Sequence, residues 1–289
     1  MPVIRRGSAL LELLVALPLA AMLAAAAAAM LVGVWRLARR GDSQLAGTRE
    51  LRHAHAALAA DVRPLRARDL REARDTAIEF DAVLGVGVVC AAPTRERIDL
   101  LAADPDHVTG LAWAASVQAG DVVTLWHADT PGTPRPVDHS TLVAGIWWSS
   151  ACGGAPWTAA WADRRAVRIS LAVASPQVGM IGAPATVRRR VRYSLYRSGA
   201  SWFLGRRTLT GGRWDTVQPV AGPLLSPAQG GMVVQALDQR WEPAVQLEET
   251  AVLRLTLRLR RSPVGNAAPR LDSATMDIAL RGEHAQPDR

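Results

Sequence analysis

The sequence predicts an α+β protein: one long N-terminal helix that crosses a membrane, followed by an antiparallel β domain. Three observations carry this reading. From Leu13 to Trp35 there is no charged side chain, which covers the roughly 20 apolar residues a helix needs to span a bilayer. Beyond it, Leu37, Leu45, Leu51, Ala54, Leu58 and Val62 keep near-helical spacing with Arg, Asp and Glu between them. From Thr76 onward, short alternating or apolar runs are separated by Gly, Pro, Ser and Asp clusters, the pattern of strands and turns. One helix and then many strands, without strand–helix alternation, is the α+β order with antiparallel sheet.

The apolar stretch begins RRGSALLELLVALPLAAMLAAAAAAMLVGVW at Arg5. A cleavable secretory signal has an apolar core of only about 7–15 residues and a small-x-small cut site, whereas this core is longer and runs into more helix-forming sequence. Ala24 to Ala29 favour helix and are small enough for membrane helices to approach closely. Pro18 removes a hydrogen bond to Leu14, so a bend or loosened turn of the kind tolerated in membrane helices is expected there. Trp35 suits the outer membrane boundary. Arg5 and Arg6 precede the span and Arg36, Arg39 and Arg40 follow it, so the positive-inside count alone does not orient it.

Glu12 is the informative exception. A carboxylate in an apolar span costs about 2.5–3.5 kcal/mol at mid-bilayer, less near the interface, and calls for a partner. A cut between Gly7 and Ser8 would supply one: the new amine of Ser8 would lie one helical turn before Glu12, on the same face. The helix N-terminus favours the negative charge as well. Amine and carboxylate could then pair between neighbouring subunits.

A short basic leader ending in Gly7, then Ser-Ala-Leu-Leu-Glu-Leu-Leu-Val-Ala-Leu with Glu12 fifth after the cut, resembles the class III signal of type IV pilins and type II secretion pseudopilins. The resemblance implies cleavage after Gly7 by a prepilin peptidase, methylation of the Ser8 amine, and a role for Glu12 in assembly into a helical filament. It also implies a cytoplasmic leader and a periplasmic chain after Trp35. Two residues depart from the family pattern: Ser8 stands where Phe is usual, and Pro18 is eleventh after the cut, earlier than the family's usual proline.

The expected organisation is a leader at 1–7, a transmembrane and assembly helix at 8–35, a periplasmic amphipathic helix stem at 36–75, an antiparallel β-rich globular domain at 76–282 and a polar, disordered tail at 283–289. Pro64 is the first strong helix break. The clearest strand runs from Ala251 to Arg261, where Leu253, Leu255, Leu257 and Leu259 alternate with Arg254, Thr256, Arg258 and Arg260. Ser198-Gly199 and Gly211-Gly212 read as hairpin turns. Tyr-Ser-Leu-Tyr-Arg from Tyr193, the Asp238 to Trp241 segment and the VLRLTLRLRRSP strand resemble, more weakly, the C-terminal part of J-type minor pseudopilins and W-type minor pilins.

Composition narrows the function classes. The net charge is +8 and all 34 basic residues are Arg, but they are spread along the chain without the clustered stripe of a nucleic-acid footprint. No nucleic-acid partner is expected. Cys90 and Cys152 are either a disulfide, closing a long loop in an oxidising compartment, or two buried thiols. The six histidines, at 53, 55, 107, 127, 139 and 284, have no zinc spacing, and His53 and His55 are read as solvated. Asp138-His139-Ser140 is read as a surface loop, since no nucleophile elbow accompanies it. Gly85-Val86-Gly87 lacks the third glycine of a dinucleotide loop and is read as a strand with bends. Asp99, Asp104 and Asp106 are read as a wet acidic turn rather than a calcium loop. Trp147, Trp148, Trp157 and Trp161 gather around Cys152, as core or as a partner surface.

The resulting expectation is a structural protein, not an enzyme, with no cofactor and no metal. It is a minor pilin or pseudopilin of the inner membrane, built into or at the tip of a type II secretion pseudopilus. Its partners are other subunits, the prepilin peptidase, the inner-membrane assembly platform and the membrane. A W-type minor pilin that initiates a type IV pilus is one alternative, and an uncut, membrane-anchored periplasmic binding protein or enzyme is another.

Overall fold

The computed structural model describes residues 8–101, 114–128, 136–149, 152, 166–175, 181–261 and 270–281. It forms two compact units: Met1–Glu50 with Arg260–Asp272, and Leu51–Leu259 with Ser273–Arg289.

Helix α1 (Ser8–Val62) runs through Pro18 without a break. In the first unit its side chains from Ala16 to Trp35 are all exposed, and these 20 residues are long and apolar enough to cross a membrane. In the second unit the helix turns amphipathic. Leu51, Ala54, Leu58 and Val62 fall on one stripe, as three- and four-residue spacing requires, and none is more than 5% exposed. The helix stops at Val62 because Pro64 disfavours helical backbone in the residue before it. The stem therefore does not reach residue 75 as a helix. A 3-10 turn (Ala67–Asp69) and strand β1 (Leu70–Arg74) take up that stretch.

Among the described residues the β domain has thirteen strands in one connected sheet. After β1 come β2 (Ala77–Thr94), β3 (Arg97–Leu101), β4 (Val122–Ala128), β5 (Pro136–Ser149) and β6 (Ala166–Leu171). Then follow β7 (Pro184–Ser198), β8 (Ser201–Thr210), β9 (Arg213–Trp214), β10 (Gln218–Leu224), β11 (Met232–Leu237), β12 (Val252–Arg261) and β13 (Arg270–Ala279). The expected turns are present at Gly199, Gly211 and Gly212, with φ of 60°, 57° and 78°.

Six of these strands close on themselves. β2 pairs with β3, β3 with β6, β6 with β5, β5 with β4, β4 with β7, and β7 with β2, all antiparallel. This ring is a small barrel, a form that leaves no free edge among its members. Leu84, Ile98, Leu100, Val123, Leu125, Ile169 and Val187 cluster from its strands as one apolar core. Strand β2 also shows why Gly85-Val86-Gly87 belongs in a sheet. Its register against β7 slips between Val83 and Gly85, and a bulge next to a small residue is how a long strand bends.

The long strands β2 and β7 also serve a second layer, with β8, β10, β12 and β11 beyond β7 and β13 on β12. Its core is the one that takes α1: Leu51, Leu58 and Val62 cluster with Phe80, Val191, Tyr193, Leu204, Met232 and the alternating Leu253, Leu255 and Leu257.

Candidate functional site

The residues expected to matter most lie at the start of α1. Ser8 is its first residue and Glu12 its fifth, so the two stand four apart in one helix and share a face. Gly7 lies outside the described residues. The exposed apolar stretch begins one turn after Glu12.

The other end of α1 is fixed to the sheet by polar contacts as well as by its apolar stripe. Asp61 Oδ2 accepts a hydrogen bond from the Tyr193 hydroxyl on β7 at 2.8 Å and one from Arg206 Nε on β8 at 3.0 Å. Burial and the neighbouring Asp61 charge push the Tyr193 phenol well above its ordinary range, so it stays a neutral donor. Arg206 is held charged by Asp61 against the opposing effect of its own burial. Tyr193 also stacks on Phe80 with ring centroids 6.1 Å apart. Two turns before the stripe ends, His55 is half-buried rather than solvated. Its Nε2 has no hydrogen-bond partner among the described residues, and burial lowers its pKa from the ordinary 6.5. His53 is exposed as expected.

The barrel is cross-tied by arginine forks that sequence reasoning missed. Arg189 grips Asp121 through two bonds of 2.7 and 2.8 Å and donates to the Ser116 carbonyl, with both side chains almost fully buried. Arg168 grips Asp99 at 2.7 and 2.8 Å. Asp99 is thus a buried strand residue and not part of a wet turn; Asp104 and Asp106 lie outside the described residues. Arg188 lies 3.7 Å from Asp69 and donates to the Thr124 hydroxyl. A guanidinium presents a planar fork that fits a carboxylate bidentately, which an ammonium does not. The triple arginine in VRRRVRY is accordingly structural at its first two positions.

Cys90 and Cys152 form a disulfide. Both are fully buried with Leu101 and Ala166, tying the end of β2 to the connection between β5 and β6. Closing a loop of 62 residues contributes about 4 kcal/mol on the chain-entropy account.

The arrangement offers little chemistry. No group of three or more His, Cys, Asp and Glu among the described residues is placed to hold a metal. Asp138, His139 and Ser140 lie in strand β5, not in a surface loop. Their alternation sends His139 and Ser140 to opposite faces, and Ser140 bonds Thr124 rather than a histidine. A cleft of about 290 Å³ mixes Arg68 and Arg281 with Glu248 and Glu249 around Thr250, and it contains no histidine, cysteine or serine nucleophile. Of the expected tryptophan group, Trp147 is exposed with Arg97 stacked 5.9 Å from its ring. Trp148 is on β5, and Trp157 and Trp161 lie outside the described residues.

Comparison with known protein families, with curated proteins and with solved structures finds no match to this chain.

Proposed function

We propose that the protein is a minor pilin or pseudopilin, a structural subunit cut after Gly7 and assembled through the Ser8 amine and Glu12. In this reading its apolar helix is held in the inner membrane until assembly. The β domain stands in the periplasm, and the filament is a type II secretion pseudopilus. The observation that carries the reading is the construction of α1. Ser8 and Glu12 share a face at its start, an exposed apolar stretch of 20 residues follows, and the apolar face of its last three turns is buried in the β domain. Such a helix has one part that needs lipid or other helices and one part that belongs to its own domain. That is what a subunit moving from bilayer to filament requires.

The work is packing, and no catalytic step is needed. In the bilayer Glu12 is a cost. In the filament the amine of one subunit answers the carboxylate of another while Leu and Ala faces bury against one another. Gly7→Asp should leave the leader attached, read as an unshortened mass. Glu12→Ala should be cut normally yet cross-link poorly into filaments with other subunits, and normal incorporation of that variant would remove the pairing argument. The minor subunits that co-purify with the wild type separate a type II machine from a type IV pilus machine.

A further inference from the structure

The hairpin joining β11 to β12 puts a bulky residue where the backbone asks for glycine. Asp238 and Glu242 close a three-residue turn: the Asp238 N–H donates to the Glu242 carbonyl at 2.8 Å and the Trp241 N–H donates to the Asp238 carbonyl at 3.1 Å. Asp238 Oδ1 accepts from the N–H groups of Arg240 and Glu242 at 2.8 and 2.9 Å. Turns of this length place their last residue in the left-handed region, where glycine is the unstrained choice. Here it is Trp241, with φ of 65°, the sole non-glycine residue with positive φ among the described residues. A bulky side chain in that region is an outlier, and such outliers gather where a side chain has a task.

The ring is not there to fill the core, because it is 55% exposed. Its inner side is seated on Arg254, 5.5 Å from the ring centroid, and Arg254 is itself gripped by Asp277 at 2.7 and 3.1 Å. Four residues further along the chain, Val245 is 91% exposed. The surrounding segment carries Asp238, Glu242, Glu248 and Glu249 against the single Arg240, in a chain whose net charge is +8. Glu242 makes no ion pair among the described residues, whereas Glu248 turns to the cleft it shares with Arg68 and Arg281.

We infer that Trp241, Val245 and the carboxylate of Glu242 form a docking patch for an arginine-bearing surface of a second copy of this chain. The chain's basic side chains are all arginine and none is lysine, and a guanidinium both stacks on an indole and pairs with carboxylates. Two such patches cannot face each other, since that would oppose like charges. The contact is therefore heterologous: the patch of one copy meets a different face of the next, and each copy keeps one unused patch and one unused face. Contacts of that kind propagate into open filaments unless they close into a ring.

The inference rests on the assembly reading for its setting and names a partner for it. Its test is the self-association of the full chain in detergent, followed by sedimentation, with thermal melting of the same samples. Trp241→Gly relieves the backbone and removes the ring, so its melting midpoint is expected to rise by about 2 °C while association weakens about tenfold. Glu242→Gln should weaken association several-fold, and raising salt from about 50 to about 500 mM should do the same to the wild type. Association through the N-terminal helix alone would respond to neither substitution. Unchanged association in Trp241→Gly, or a fall in its melting midpoint, overturns the inference. A chain cut to Ser8 that ignores Trp241 refutes this contact alone, whereas an uncut chain that still associates through Trp241 refutes the assembly reading alone.

Discussion

The two parts of α1 have opposite fates. Leu17, Leu23 and Leu31 are 63%, 72% and 73% exposed, while Leu51 and Leu58, on the same continuous helix, are 5% and 1% exposed. Burying a leucine is worth about 1.5–3 kcal/mol, so the second part gains from its own sheet what the first part must find elsewhere. Chemistry follows burial. The exposed part carries no charged residue from Ala16 to Trp35, whereas the buried part mixes its leucine stripe with Asp61, which bonds Tyr193 and Arg206. A helix divided in this way meets two surroundings: one end is packed into its own domain, and the other is exposed, long and apolar enough to cross a membrane.

That contrast can be broken by mutation. Leu58→Ala is expected to lower the stability of the β domain by about 3 kcal/mol, the loss of buried methyl groups plus the cavity left behind, measured by chemical denaturation. A change under 1 kcal/mol would mean that the stem is not part of the core. Asp61→Ala comes next, at about 2 kcal/mol, because it strands the buried Tyr193 hydroxyl and removes a charge partner from Arg206. The double variant with Tyr193→Phe should be less than additive, since the two share one interaction.

A smaller effect comes from His55. Its pKa is lowered in the fold by burial, so the unfolded chain takes up that proton first. Stability should therefore be fully present above pH 6.5, decline as the pH falls through that value, and level off below the lower folded value. Replacing His55 with Gln should flatten that decline in a pH series of unfolding curves. The smallest effect sharpens the comparison most: Leu23→Ala should leave the unfolding of the β domain within about 0.5 kcal/mol of wild type. It should weaken association between helices in the membrane.

Much of this was legible in the sequence, for physical reasons that also mark where legibility ended. The uncharged run to Trp35, the stripe from Leu51 to Val62, the break before Pro64 and the alternation of β12 are local patterns, and local patterns survive folding. The barrel is not local. It exists because β7 pairs with β2 and β4, strands far apart in the chain, and periodicity says nothing about which strands meet. The arginine forks failed to announce themselves for the same reason. Arg189 finds Asp121 only through the fold, and Asp99 reads as part of a wet turn until Arg168 arrives from β6. The cysteines stood between the two cases, since their number allowed a bridge and only their meeting decided it. Trp241 was visible as a residue but not as an outlier, because the sign of φ depends on how the hairpin closes.

The account turns on a liberated amine at Ser8 that neutralises Glu12 when subunits stack. The most direct measurement is the intact mass of the protein extracted from membranes of cells with an active prepilin peptidase. The account predicts a chain that begins at Ser8 and carries one added methyl group. A chain that still begins at Met1 under those conditions would contradict it.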